Sequence, residues 1–290
     1  MNIRAILLLA AFALALTGTA QAQEDVPVLV STQWLADHLD DDNLVLLNVH
    51  MAHTGMPTAY IPGARFVEYH DLEDTVNDIP IEMPPLEHLV EVFRAAGVSN
   101  DKHVVIYGVN PAHEAARAFM TLEYLGHRGK TSMLDGGFEL WTAEDRPTVA
   151  EAAKGPRGTF EMKLDEDLLI SADELAERLD DPHLALIDAR PAEQHDGGFI
   201  PGSYNLYWHD LIVSDETPRL KPLDEVKARF HAAGATKDGL VVNYCQIGMR
   251  ASYTYLISRH LGYQARFYDG SFSEWGRRYD LPREKKVSVQ

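Results

Sequence analysis

Short apolar runs alternate along the chain with stretches in which apolar residues recur every three or four positions. Ser171, with Glu174 three residues on, forms a capping box that opens an amphipathic helix through Leu179. Leu184 to Ile187 reads as a short strand ending at Asp188, and Leu223 to Ala233 as a helix stopped by Gly234. Leu240 to Tyr244 is apolar apart from Asn243, the pattern of a strand covered on both faces. A helix from Ala251 to Leu261 stops at Gly262, and Ala265 to Tyr268 is a further strand before the Asp269-Gly270 turn. This alternation predicts a mostly parallel sheet flanked by helices, an α/β fold.

The same pattern occurs twice. Leu29-Val30-Ser31 and the segment Leu44 to Asn48 return as Leu169-Ile170-Ser171 and Leu184 to Asp188, at an offset of 140. Ile61-Pro62-Gly63 and His70-Asp71-Leu72 return at offset 139 as Ile200-Pro201-Gly202 and His209-Asp210-Leu211. Phe93 with Ala95-Ala96-Gly97 returns at offset 137, and Asp135-Gly136 with Trp141 at offset 134 as Asp269-Gly270 with Trp275. A constant order with a slowly drifting offset marks a duplicated unit. The expected organisation is a domain over residues 23–148, a linker over 149–159 rich in Ala, Gly and Lys, and a second domain over 160–290. Phe160 to Leu164 is expected to begin the second domain's edge strand.

The N-terminus is read separately. Arg4 precedes 12 apolar residues, Ala5 to Leu16, too few for a spanning helix and followed by the small-x-small pattern Ala20-Gln21-Ala22. Residues 1–22 are therefore expected to be a signal peptide, and the mature chain to work in a bacterial periplasm. The formal net charge of −18 disfavours nucleic acid and anionic lipid as partners. Any anionic substrate needs a local positive site.

Chemistry concentrates at Cys245. As the only cysteine, it excludes intrachain disulfides and cysteine-based zinc clusters. It stands where a strand ends and a helix begins, the usual ligand position of open α/β sheets. Gln246-Ile247-Gly248-Met249-Arg250 follow it. Gly248 permits a tight loop whose N–H groups face the sulfur, and the helix terminus and Arg250 add positive charge, an environment that stabilises a thiolate.

The chain resembles the two-domain rhodaneses, the thiosulfate and 3-mercaptopyruvate sulfurtransferases. The marks are Asp188-Ala189-Arg190, Gly198-Phe199-Ile200-Pro201-Gly202, the loop Cys245 to Arg250, and Asp269-Gly270-Ser271-Phe272 with Glu274-Trp275. The resemblance implies two tandem rhodanese-like domains, the first inactive because Gly108 stands where the repeat places Cys245. It also implies sulfur transfer through a Cys245 persulfide, from a small anionic donor to cyanide or a thiol, with no metal or organic cofactor. Arg117 is expected to bind the donor's anionic group, and Arg250 to bind it or to hold Asp188 or another acid. Asp188 and Arg190 are expected to support the site. His50 and His53 lack a third metal ligand, and no metal is expected there.

Donor choice stays open, because Gln246-Ile247 matches neither the Cys-Arg-Lys-Gly nor the Cys-Gly-Ser-Gly loop. Thiosulfate is preferred, since Arg250 suits a small dianion and the loop has no serine to help a keto acid. The alternatives are mercaptopyruvate as donor, a non-catalytic persulfide carrier or docking protein, and, more remotely, a Cys-loop phosphatase or arsenate reductase. Those last families use one more loop residue than Cys245 to Arg250. Phe199 and Tyr60 replace a histidine before Ile-Pro-Gly, and Asn48 an aspartate, at supporting positions.

Overall fold

A computed structural model describes residues 25–109 and 112–286, apart from the Thr54 side chain. The expected signal peptide lies outside the described residues. Among them, no helix is long and apolar enough to cross a membrane.

In the first half, strands β1 (Leu29–Val30), β2 (Leu44–His50) and β3 (Arg65–Glu68) are followed by a hairpin of β4 (Asp74–Val76) and β5 (Ile79–Glu82). β6 (His103–Gly108) and β7 (Thr131–Leu134) complete it, with helices α1 (Thr32–His38), α2 (Leu86–Ala95), α3 (His113–Leu122) and α4 (Gly137–Ala143) between and after them. Five strands pair in the order β1-β7-β6-β2-β3, all parallel. The second half runs α5 (Ala172–Glu177), β8 (Leu184–Asp188), α6 (Ala192–Asp196), β9 (Tyr204–Asn205), α7 (Leu223–Ala232), β10 (Leu240–Tyr244), α8 (Met249–His260), β11 (Gln264–Phe267) and α9 (Ser271–Trp275). Its parallel sheet has the order β11-β10-β8-β9, and Leu169 bridges Phe267 where β1 lies in the first sheet.

The repeat is visible in side-chain roles. Tyr107 and Tyr244 accept the N–H of Ile61 and Ile200 at 3.1 and 3.3 Å. Trp141 and Trp275 are fully buried and donate to the carbonyls of Pro147 and Pro282, each at 2.8 Å. His70-Asp71 and His209-Asp210 lie on equivalent 3-10 turns.

Two expectations need correction. Ser171 caps α5 by accepting the Glu174 N–H at 3.1 Å, but the Glu174 side chain does not complete the box. It pairs with Arg266 and Arg178, and the helix ends at Glu177. Phe160 to Leu164 is not an edge strand of the second sheet. Arg94 Nε donates to the Phe160 carbonyl at 2.7 Å, and the Lys163 N–H donates to Leu125 at 2.9 Å. The linker before it is likewise tied down, through Val149 to Tyr60, Ala153 to Ala64, and Gly158 to Arg94. Phe160 is sealed against His127, so its apolar side chain finds cover on the first domain and carries the backbone with it.

Each sheet keeps one apolar face to itself, built around Trp141 in one half and Trp275 in the other. The opposite faces share a single core that includes Phe119 of α3 and Tyr255 of α8. These two helices pack side by side. Glu123, 1% exposed just beyond α3, receives the Arg259 guanidinium at 3.0 and 3.1 Å and the Tyr255 hydroxyl at 2.7 Å. Replacing it by alanine leaves the arginine and the hydroxyl without their shared acceptor. Glu123→Ala should therefore lower stability by about 3 kcal/mol, read from the urea unfolding midpoint.

Candidate active site

β10 carries Cys245 to the edge of this shared core, where it is 1% exposed. Two residues of the following segment hold its backbone. The Cys245 N–H donates to Ser271 Oγ at 3.2 Å, and its carbonyl accepts the Phe272 N–H at 3.0 Å. The Ser273 N–H donates to the Gln246 carbonyl at 2.9 Å. The Cys245 N–H is thus committed to the loop's support. Ser271 adopts φ +50°, an uncommon conformation for a side chain to bear.

Gly248 makes the turn into α8 at φ +81°. A Cβ there would stand 3.1 Å from Arg117 Nη1 and from both the carbonyl and Oδ1 of Asp269. The positive φ favours glycine, and the space beside it is tight. The loop opens on a pocket of about 250 Å³ lined by His113, Gln194, Cys245, Gln246, Ile247, Met249 and Arg250. Arg250 reaches Gln194 Oε1 at 3.2 Å and makes no contact with Asp188, leaving a guanidinium at the pocket wall. The N-terminus of α8 has no side-chain cap, so its positive end faces the same space.

Asp188 and Arg190 lie behind the loop. Arg190 grips both Asp188 oxygens at 2.7–3.1 Å, donates to the Gly198 carbonyl at 2.7 Å and stacks over Phe272. Its Nη1 donates to Gln246 Oε1 at 3.2 Å, linking this buried pair to the loop. His195 and the Tyr244 hydroxyl also bond Asp188, each at 2.9 Å. Burial would raise the Asp188 carboxyl, but His195 and Arg190 outweigh it and hold the pKa below the ordinary value.

Arg117 is placed differently from the sequence expectation. It is fully buried and lines no part of the pocket. Nη1 pairs with Asp269 at 2.5 Å, Nη2 donates to the Ile81 carbonyl at 2.9 Å, and the guanidinium lies over Phe267. Burial pulls its pKa down, and Asp269, Tyr69 and Glu82 more than offset this. Here its two terminal nitrogens are committed to Asp269 and the Ile81 carbonyl. Its position is a tie between domains directly beneath Gly248.

The sequence reading missed two pocket residues. Gln194 lies on α6, which no pattern indicated. His113 does have a signal: it stands 137 residues before Arg250, the offset that relates Gly108 to Cys245. The repeat thus delivers the equivalent positions of α3 and α8 to one pocket. His50 and His53 bond Gly55 and His70 respectively.

The rhodanese-like domain pattern matches residues 31–144 and 171–278, so this chain belongs to the rhodanese family, with two such domains. It is 30% identical over 280 residues to the sulfur carrier protein TtuD of Thermus thermophilus, covering 89% of this chain and 96% of that one. It is also 30% identical over 268 residues to the thiosulfate sulfurtransferase of Azotobacter vinelandii, covering 89% and 97%. The crystal structure of the 3-mercaptopyruvate sulfotransferase SseA from Escherichia coli superimposes with a TM-score of 0.73 at 26% identity, over 85% of this chain and 99% of that chain.

Two predictions follow from the tie beneath the loop. Arg117→Ala strands Asp269 and should cost about 3–5 kcal/mol in unfolding free energy. Because the loop itself loses support, uptake and release of a ligand at Cys245 should slow together, as rapid-mixing kinetics would show. The second concerns Glu82, pushed up to about 7 chiefly by burial and further by Asp269, with Arg117 opposing. The folded state holds this proton more tightly than the unfolded chain, so Glu82 favours folding at pH 4 and loses that contribution as pH rises from about 4.5 to about 7. Glu82→Gln should match the native Tm at pH 4 and exceed it at pH 7.5.

Proposed function

We propose that this protein is a sulfurtransferase that takes the sulfane sulfur of thiosulfate onto Cys245 and passes it to a thiophilic acceptor, cyanide or a thiol. The observation that carries the reading is the sole thiol at the bottom of a small pocket, at the positive end of α8, with Arg250 on the wall. The thiolate attacks the outer sulfur of thiosulfate. The sulfur–sulfur bond breaks, its electron pair leaves with sulfite, and a Cys245 persulfide remains. The acceptor then attacks the terminal sulfur, the persulfide bond breaks and the thiolate returns. Arg250 and the helix terminus stabilise both the dianion and the charge on the persulfide. The chemistry needs no metal or organic cofactor.

The preference for thiosulfate rests on Arg250 and on the absence of a serine between Cys245 and Arg250. Mercaptopyruvate, leaving as pyruvate, is the second donor reading, supported by the likeness to SseA. A persulfide carrier without turnover is supported by the likeness to TtuD. Export to the periplasm belongs to the same proposal, on the apolar run and cleavage pattern of residues 1–22.

Intact-mass measurement after thiosulfate treatment should show one added sulfur atom on the chain, lost again with cyanide. Cys245→Ser should fold normally and take up none. A mass changed by mercaptopyruvate and not by thiosulfate would reverse the donor assignment. Loading without thiocyanate formation would make the protein a carrier.

A further inference from the structure

His113 is the one residue of the Cys245 pocket supplied by the first domain. It is the first residue of α3, and the Trp208 ring meets it edge-on at 5.0 Å between centroids. Trp208 packs in turn on Tyr253 of α8, so both helices fix the imidazole's place. Its Nδ1 is sealed from solvent and has no hydrogen-bond partner among the described residues. A proton there would be a buried donor without an acceptor, at a cost of about 1–3 kcal/mol. The neutral ring therefore carries its proton on Nε2, the nitrogen left to serve the pocket. Burial, reinforced by the Arg250 charge, pushes the His113 pKa down to about 3. The ring is neutral throughout the working range, an N–H donor that adds no charge beside Arg250.

We propose that His113 is a substrate-binding residue of the Cys245 pocket: its Nε2–H donates to an oxygen of the bound sulfur donor, while Arg250 balances that donor's charge. The inference rests on the sulfur-transfer reading and deepens it. It assigns the first domain, which has no thiol of its own, a direct contact with substrate. It also defines the donor class as molecules carrying an oxygen acceptor next to the transferred sulfur's leaving group, as the sulfonate of thiosulfate and the oxo acid of mercaptopyruvate both do. A bare polysulfide offers no such oxygen. It should gain nothing from His113.

The test uses the full chain with two substitutions. His113→Phe keeps a ring against Trp208 and removes the donor, whereas His113→Gln keeps an N–H. Each is followed through the two half-reactions by rapid mixing with thiosulfate, mercaptopyruvate and inorganic polysulfide, then with cyanide. Loss of one hydrogen bond to an anion should lower the loading efficiency of His113→Phe by roughly 10- to 100-fold for the oxygen-bearing donor that loads the native protein. His113→Gln should recover most of that loss. Polysulfide loading and transfer to cyanide should change little. Unchanged loading in His113→Phe, or an equal loss with polysulfide that glutamine does not repair, would overturn the proposal in favour of a packing role. Failure of the native chain to load from any of the three would overturn the sulfur-transfer reading itself, and this proposal with it.

Discussion

The Arg117–Asp269 ion pair joins the two halves at the place where the reactive loop turns. Burying two charges is expensive, and the pair is supported by further contacts to the guanidinium, although Arg117 Nε has no hydrogen-bond partner among the described residues. The Ile81 carbonyl takes a second guanidinium N–H, and Phe267 lies beneath its face. Asp269 in turn begins the segment whose Ser271, Phe272 and Ser273 bond the backbone of Cys245 and Gln246. Gly248 passes within about van der Waals distance of both partners. The shape of the loop, and so the position of the thiol, is therefore set by a contact between domains. A second-domain fragment would keep Cys245 but lose the arginine beneath its loop.

Duplication explains how a half without a thiol can take part in the pocket of the other. α3 and α8 are equivalent helices, and they lie with their first residues at one pocket and their last turns joined through Glu123 and Arg259. Their N-termini point the same way, so two helix dipoles add their positive ends at a single site. Divergence then assigned unlike tasks to equivalent positions. Gly108 has no thiol where Cys245 does, and His113 is neutral where Arg250 is charged. Asp135 and Asp269 are another such pair. Each reaches into the other domain, one to the Leu220 N–H at 2.7 Å and one to Arg117.

Strands, helices and the duplication were legible because burial on a parallel sheet writes continuous apolar runs, and Gly234 and Gly262 mark where helices stop. Cys245 was legible because a lone thiol between a strand and a helix is a local feature. What escaped were contacts made across the interface. Arg117 looked like a ligand-binding arginine, since nothing local shows that Asp269, 152 residues away, occupies it. Phe160 to Leu164 looked like a strand because alternating apolar and charged residues do not declare which domain covers them. Gln194 lies on a five-residue helix too short for periodicity to register. His113 was the recoverable omission: the repeat offset that identified Gly108 also maps this residue onto Arg250.

The acidity of the chain poses a problem for a pocket built to hold an anion, and the interface shows how it is contained. Burial chiefly, and then the charges of Asp269 and Glu274, raise the Glu82 carboxyl, with Arg117 opposing. One arginine serves this group. Burial and these neighbours favour the neutral form of Glu82, which lessens the negative charge packed around the Arg117–Asp269 pair. On the opposite side, Arg250 stands against Gln194 and His113, an uncharged amide and an uncharged imidazole, and pairs with no carboxylate among the described residues. Charge is thus paired where it supports the loop and left unpaired where a ligand enters. In a protein with 44 acidic residues and 26 basic ones, that separation over a few ångströms makes an anion site possible.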